Sequence, residues 1–168
     1  MRVICAPKEY VQEKNDIRVF LAGGICGCEG WQDNVIDELK KYNLPNLVVF
    51  NPRRKHFPID DAGAARVQIE WEFRNLEECD IFSMYFCGGS SDQPICMYEL
   101  GRNLLLMQNR FGDWKKRLVI SADEGYKRLQ DVIIQCELAG ANVQIGKSDL
   151  YHTHARLIAE AVNNLQNS

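Results

Sequence analysis

The chain has no long hydrophobic run: nothing in its 168 residues approaches the ~20 consecutive apolar positions that a membrane-spanning helix needs. Residues 1–16 lack the apolar stretch and small-residue cleavage site of a secretory leader, so the expectation is a cytoplasmic protein with no membrane partner. Excess charge of one sign is missing too. Twenty basic against 23 acidic side chains leave a net charge of −3, with Arg53, Arg54 and Lys55 forming a short basic run. That balance offers no general attraction for a phosphate backbone, so a nucleic-acid polymer is not an expected partner. Histidine is sparse: His56, His152 and His154 stand in a loop and in the last predicted helix, and read as ordinary surface residues. With no Cys-x-x-Cys pair and no cluster at metal-ligand spacing, no metal and no cofactor are expected.

What is present suits one compact domain over residues 1–168, long enough to bury roughly two-thirds of its unfolded surface. Hydrophobic residues at 46% and charged residues at 26% are ordinary globular usage, which argues against disorder. Seven cysteines fall at 5, 26, 28, 79, 87, 96 and 136, four of them inside apolar segments where a buried thiol is the plain reading. Cys26 and Cys28 are close enough for a metal or redox pair, although their spacing is tighter than a zinc knuckle.

Periodicity divides the chain into alternating elements. Residues 1–16 read as an N-terminal arm or edge segment. Residues 17–22, 47–50, 81–86, 118–120 and 143–145 are short apolar runs rich in β-branched residues, and each reads as a buried strand. Helical spacing marks residues 31–41, 62–78, a segment beginning near Pro94, the segment from Leu129 to a glycine stop at Gly140, and 148–165. In the second of these, Val67, Ile69, Trp71, Phe73 and Leu76 are expected on an inner face, with the glutamates outside. Strand alternating with helix implies a parallel sheet with right-handed crossovers and helices on both sides. The expected fold is α/β, a flavodoxin-like three-layer sandwich with a five-stranded sheet in the order 2-1-3-4-5.

Ligands of such sheets bind beyond the carboxyl ends of the strands. The glycine-rich turn from Gly23 and Gly24 to Gly30 falls there, but it is not G-x-G-x-x-G, and the second strand ends in Asn51 instead of an acid that would hold a ribose hydroxyl. A dinucleotide is therefore disfavoured against a sugar or base lying on the backbone, or a purely structural turn. Three acids mark residues 80–101: Asp80 before the third strand, Asp92 in the following loop and Glu99 inside the next helix. Singly, each reads as a capping, solvated or water-facing carboxylate. Together they suit displacement at an anomeric carbon, where an ionised carboxylate attacks and a protonatable one manages the leaving group. A helix N-terminus is expected to favour the ionised form of Glu99.

The segments Val19 to Ile25 with Trp31 and Gln32, Val49 to Arg54, Gln68 to Glu72, Asp80 to Phe82, and Gln93 to Ile95 leading to Glu99, Leu100 and Gly101 resemble, in order, the nucleoside 2-deoxyribosyltransferase family. The resemblance spans residues 17–109. It implies a flavodoxin-like fold and a homodimer or larger homo-oligomer in which a neighbouring subunit completes each site. It also implies exchange of the base on a 2-deoxyribonucleoside through a covalent deoxyribosyl-enzyme intermediate.

Carried onto this chain, the family pattern makes Glu99 the nucleophile, with Asp80 and Asp92 as catalytic aspartates. It places Gly23 and Gly24 at the sugar, Gln68 and Trp71 at the base, and Trp31, Asn51 and Arg53 among the substrate-binding residues. Asn142 and Tyr151 are the C-terminal positions suggested for a neighbour's site. The expected partners are nucleosides and nucleobases. The small residues and two hydroxyls of residues 87–91 suit either a 5′-phosphate, as in related hydrolases of nucleoside monophosphates, or a solvated loop. Transferase, nucleoside or nucleotide hydrolase, and non-catalytic nucleotide sensor all remain open at this point.

Overall fold

The computed structural model describes residues 1–58, 60–147 and 149–167. Its strands are β1 (Arg2–Cys5), β2 (Ile17–Gly23), β3 (Leu47–Asn51), β4 (Ile81–Phe86), β5 (Leu118–Asp123) and β6 (Gln144–Gly146). Its helices are α1 (Trp31–Leu39), α2 (Ala64–Glu78), α3 (Pro94–Arg110), α4 (Leu129–Leu138) and α5 (Tyr151–Gln166), with one 3-10 turn at Trp114–Arg117. The strands form one sheet in the order β1-β3-β2-β4-β5-β6, parallel throughout. The flavodoxin-like α/β class holds. The sheet has six strands instead of five, because Arg2–Cys5 is an edge strand whose Val3 and Ile4 pair with Val49 and Phe50 of β3, beside the five expected strands, which run in the expected order as β3-β2-β4-β5-β6.

Alternate side chains of each strand enter opposite layers of core, as the pleat requires. Phe20, Phe50, Phe82 and Met84 pack with Trp71, Leu100 and Met107 on the side of α2, α3 and α4. Val19, Leu21, Val49 and Tyr85 pack with Trp31, Val35, Ile158 and Val162 on the side of α1 and α5. All six residues of β4 are buried, as expected for a central parallel strand covered on both faces. Among the described residues no helix is long and apolar enough to cross a membrane.

Two helices differ from expectation. In α2, Trp71 and Leu76 are buried, but Val67 (48% exposed), Ile69 (63%) and Phe73 (49%) face outward. Ile69 and Phe73 each stand two residues from Trp71, about 200° around the helix axis, so they cannot share its inner face. The expected start of the last helix, Ser148, lies outside the described residues, and α5 begins at Tyr151.

His154 is not a surface histidine. It is fully buried on the inner side of α5, its Nε2 2.7 Å from the Ser83 hydroxyl of β4 and its Nδ1 2.7 Å from the Ser121 hydroxyl of β5. Both ring nitrogens are satisfied by a neutral imidazole, and burial lowers its pKa from 6.5 to about 3. A depressed histidine pKa means that the unfolded chain binds more protons, so this contribution is complete above pH 6.5 and is lost as pH falls towards 3. Replacing His154 by Leu should orphan two buried hydroxyls and cost roughly 2–5 kcal/mol, read as a lower urea midpoint at pH 7, and should flatten the fall in stability between pH 6.5 and 4.

Candidate functional site

A cavity of about 250 Å³ opens beyond the carboxyl ends of β2 and β3, between α2 and the start of α3. Gly23, Gly24, Pro52, Glu72, Gln93 and Glu99 are among its lining residues. The glycines are dictated by space. Gly23 has a φ of +149°, and a Cβ there would stand 2.3 Å from the Tyr85 carbonyl oxygen and 2.6 Å from the Trp31 ring. At Gly24 a Cβ would meet the Cys28 sulfur at 2.3 Å and the Gln93 amide oxygen at 2.6 Å. Gly23→Ala should therefore displace β2 from β4 and lose about 2–4 kcal/mol, measurable as a depressed thermal midpoint.

The loop between β4 and α3 is closed on itself. The Cys87 amide donates to Gln93 Oε1 at 3.2 Å, and Gln93 Nε2 donates to the Cys87 carbonyl at 2.7 Å, while Gln93 takes a left-handed φ of +47° at the cap of α3. This staple fixes where α3 begins. From there Glu99, the sixth residue of α3, reaches the cavity.

Two carboxylates share that cavity: Glu99 and Glu72 of α2. Burial, and then repulsion from Glu72, lifts the Glu99 pKa from 4.5 to about 7, against a smaller opposing effect of Arg102. Glu72 is raised too, mainly by burial, with Gln68 and Arg54 pulling the other way. The expected preference of Glu99 for its ionised form is overturned, because helix-dipole stabilisation fades within the first turn and Glu99 lies beyond it. Burial makes both acids harder to ionise, and interacting acids titrate as a pair. A proton acceptor beside a proton donor at the edge of an apolar cleft is equipment for acyl-like or glycosyl displacement.

Glu72 was not singled out in the sequence, yet its position carried a signal. It stands one residue past buried Trp71 and four past Gln68, whose Nε2 donates to Glu72 Oε1 at 2.6 Å and to the Pro52 carbonyl at 2.8 Å. Gln68 thus positions a carboxylate and does not line the cavity.

Of the acids read from sequence, Glu99 is at the cavity and the other two are elsewhere. Asp80 precedes β4 and so occupies the amino end of the sheet, about 20 Å along the strand from the cleft. There its Oδ2 accepts from the Arg18 amide and Nε, both at 2.9 Å, and its Oδ1 accepts from Nη2 at 3.1 Å. Asp92 is exposed and faces Lys127 at 3.5 Å, although its neighbours Ser91 and Gln93 line the cavity.

Arg53 is spent on structure. Its Nε donates to Gln32 Oε1 at 2.8 Å, and its Nη2 donates to the carbonyls of Ile25, Cys28 and Glu29 at 3.2, 3.3 and 2.9 Å. It holds the glycine-rich loop in shape. Asn51 accepts from the Arg53 amide at 2.9 Å. Trp31 is buried behind the loop, donating to the Gly24 carbonyl at 2.9 Å and stacked on Tyr85 at 4.8 Å. Trp71 is core, with its indole N–H on the Lys8 carbonyl at 2.8 Å. Asn142 lines a groove beside β5 and β6, away from the cleft, and Tyr151 lines a second cavity of about 520 Å³ on the α1 and α5 side. That second cavity contains neither Glu72 nor Glu99.

Among the described residues no three His, Cys, Asp or Glu side chains gather as a metal site. Comparison with curated proteins finds no match. A family model described as nucleoside 2-deoxyribosyltransferase like matches residues 16–110, a span that runs from β2 to the end of α3 and contains the whole lining of the glutamate cavity.

Proposed function

The chain belongs to the nucleoside 2-deoxyribosyltransferase-like family, and from that premise we propose that it moves a 2-deoxyribosyl group between nucleobases through an ester formed on Glu99. The observation that carries this reading is the pair of glutamates sharing one glycine-rimmed cleft. In the proposed reaction Glu72 carries the proton for the departing base, and Glu99 reacts in its ionised form at C1′. An oxygen of Glu99 attacks C1′ as the bond to the base nitrogen breaks. The electron pair of that bond goes to the base, and the proton of Glu72 neutralises it. A second base then attacks C1′ from the vacated side, gives up its proton to Glu72 and frees the Glu99 carboxylate. Two inversions retain the anomeric configuration.

No lysine or arginine is among the residues lining the cavity, which favours a nucleoside over its 5′-monophosphate. Incubation with deoxyadenosine and free cytosine tests the assignment: deoxycytidine is the expected product. Free deoxyribose would make the protein a hydrolase, and saturable binding without either product would make it a sensor. The same assay with deoxyadenosine monophosphate should run more slowly.

Beside the cavity mouth, Ile69 and Phe73 of α2 and Ile95 and Tyr98 of α3 are all between 49% and 65% exposed. An apolar surface at that place supports a second copy of the chain seated over the site. Ile69→Glu with Tyr98→Glu should convert a dimer to a monomer in sedimentation velocity and lower exchange activity. A fully active monomeric parent chain would contradict it.

A further inference from the structure

Three thiols gather behind the rim of the cavity, in a fold whose remaining thiols are placed differently. Cys79 is buried at the end of α2, where its sulfur bonds the Leu76 carbonyl at 3.3 Å, and Cys136 is buried among core residues of α4. Cys28, Cys87 and Cys96, by contrast, lie around Gly24 and the start of α3 and interact with one another.

Two of them share Gly24 as a neighbour. The Cys28 sulfur stands where a Gly24 side chain would begin, 2.3 Å from an ideal Cβ. The Cys87 thiol points at the Gly24 carbonyl, 3.9 Å away. The two thiols are thus near neighbours, close enough to influence each other electrostatically. Their loops differ in origin: Cys28 belongs to the glycine-rich loop after β2, and Cys87 is the first residue after β4. Cys28 is partly open to solvent, whereas Cys87 is buried.

We propose that Cys28 and Cys87 are a redox pair whose disulfide pins the glycine-rich loop to the end of β4 and thereby deforms the glutamate cavity. The oxidant is a peroxide, and hydrogen peroxide serves as the probe. The Cys28 sulfur attacks one peroxide oxygen, breaking the O–O bond and releasing water as the thiol becomes a sulfenic acid. The Cys87 sulfur then attacks the Cys28 sulfur and expels hydroxide, which leaves as water with the Cys87 proton. Two thiols are oxidised by two electrons and one peroxide is reduced to two waters.

Burial pushes the Cys87 thiol up, which slows the closing step and makes the pair respond to sustained oxidation. An S–S bond of about 2 Å draws the two sulfurs together, and in this proposal the loop that carries Gly24 and Cys26 of the cavity rim shifts with Cys28.

The test treats the full chain with hydrogen peroxide, blocks free thiols and maps peptides without reduction. The expected cross-link joins Cys28 to Cys87. Exchange activity, where the proposed reaction provides it, falls about tenfold or more, as for a site displaced by about 1 Å, and returns with dithiothreitol. Cys28→Ser should show unchanged basal activity, no cross-link and no reversible inactivation. Free Cys28 and Cys87 after treatment, or equal inactivation of Cys28→Ser, would overturn the proposal. The peptide map decides the pair even if no exchange is detected, so its failure is distinct from failure of the proposed reaction.

Discussion

Glu99→Gln loses base exchange by about 10⁴-fold or more and at the same time becomes more stable than the parent chain in alkaline solution. The first effect follows from the proposed role of Glu99 as the group that forms the ester. The second follows from linkage. Burial and Glu72 raise Glu99 from 4.5 to about 7 in the folded chain. A group raised on folding contributes fully below its unfolded value, and that contribution is lost as pH rises through the folded value. Above pH 7 the parent chain therefore holds an unwelcome charge that glutamine does not carry. The expected gain is up to about 3 kcal/mol at pH 8 and near zero at pH 4, read from urea midpoints at both values. Equal stability changes at the two pH values would mean that Glu99 is not in the environment described.

Glu72→Gln slows exchange by about 10²–10⁴-fold, because the departing base must then leave as an anion. A merely structural role for Glu72 would lower the rate for all substrates alike. A proton-carrying role makes two further marks. Nucleosides whose base is an intrinsically better leaving group should recover most of the loss. The acid limb of the pH profile should also move down, since Glu99 loses the neighbouring charge that helps lift it. An unmoved limb together with a uniform rate loss would remove Glu72 from the chemistry and leave it as a support for α2.

Asp80 and Glu72 mark the boundary of what could be read from sequence. The strands were legible because runs such as Ile81–Phe86 are apolar, β-branched or aromatic, and flanked by polar residues, and the observed β4 has those bounds. Being next to a strand did not reveal which end of it an acid occupies: Asp80 enters β4, and in a parallel sheet every entrance lies opposite the cleft. Glu72 went unremarked because its importance depends on α3 bringing Glu99 to the same cavity from a separate segment of the chain.

Non-local partners explain the other differences as well. Nothing near His154 in sequence announces the Ser83 and Ser121 hydroxyls that satisfy it. Residues 2–5 are too few to declare a strand until β3 is there to pair with them. Val67, Ile69 and Phe73 were legible as apolar but not as outward-facing, since their alternation suits a strand while the segment is a helix. Gly23 and Gly24 were found by residue type, and the reason they must be glycine, the closeness of Tyr85, Trp31, Cys28 and Gln93, came only with the packing.

The most direct test is mass spectrometry of the intact protein, quenched after brief exposure to a 2′-deoxynucleoside without an acceptor base. The account predicts a gain of one 2-deoxyribosyl group, mapped by peptide sequencing to Glu99 and discharged when free base is added. Exchange that proceeds with no adduct, or with the sugar carried on a residue other than Glu99, would contradict it.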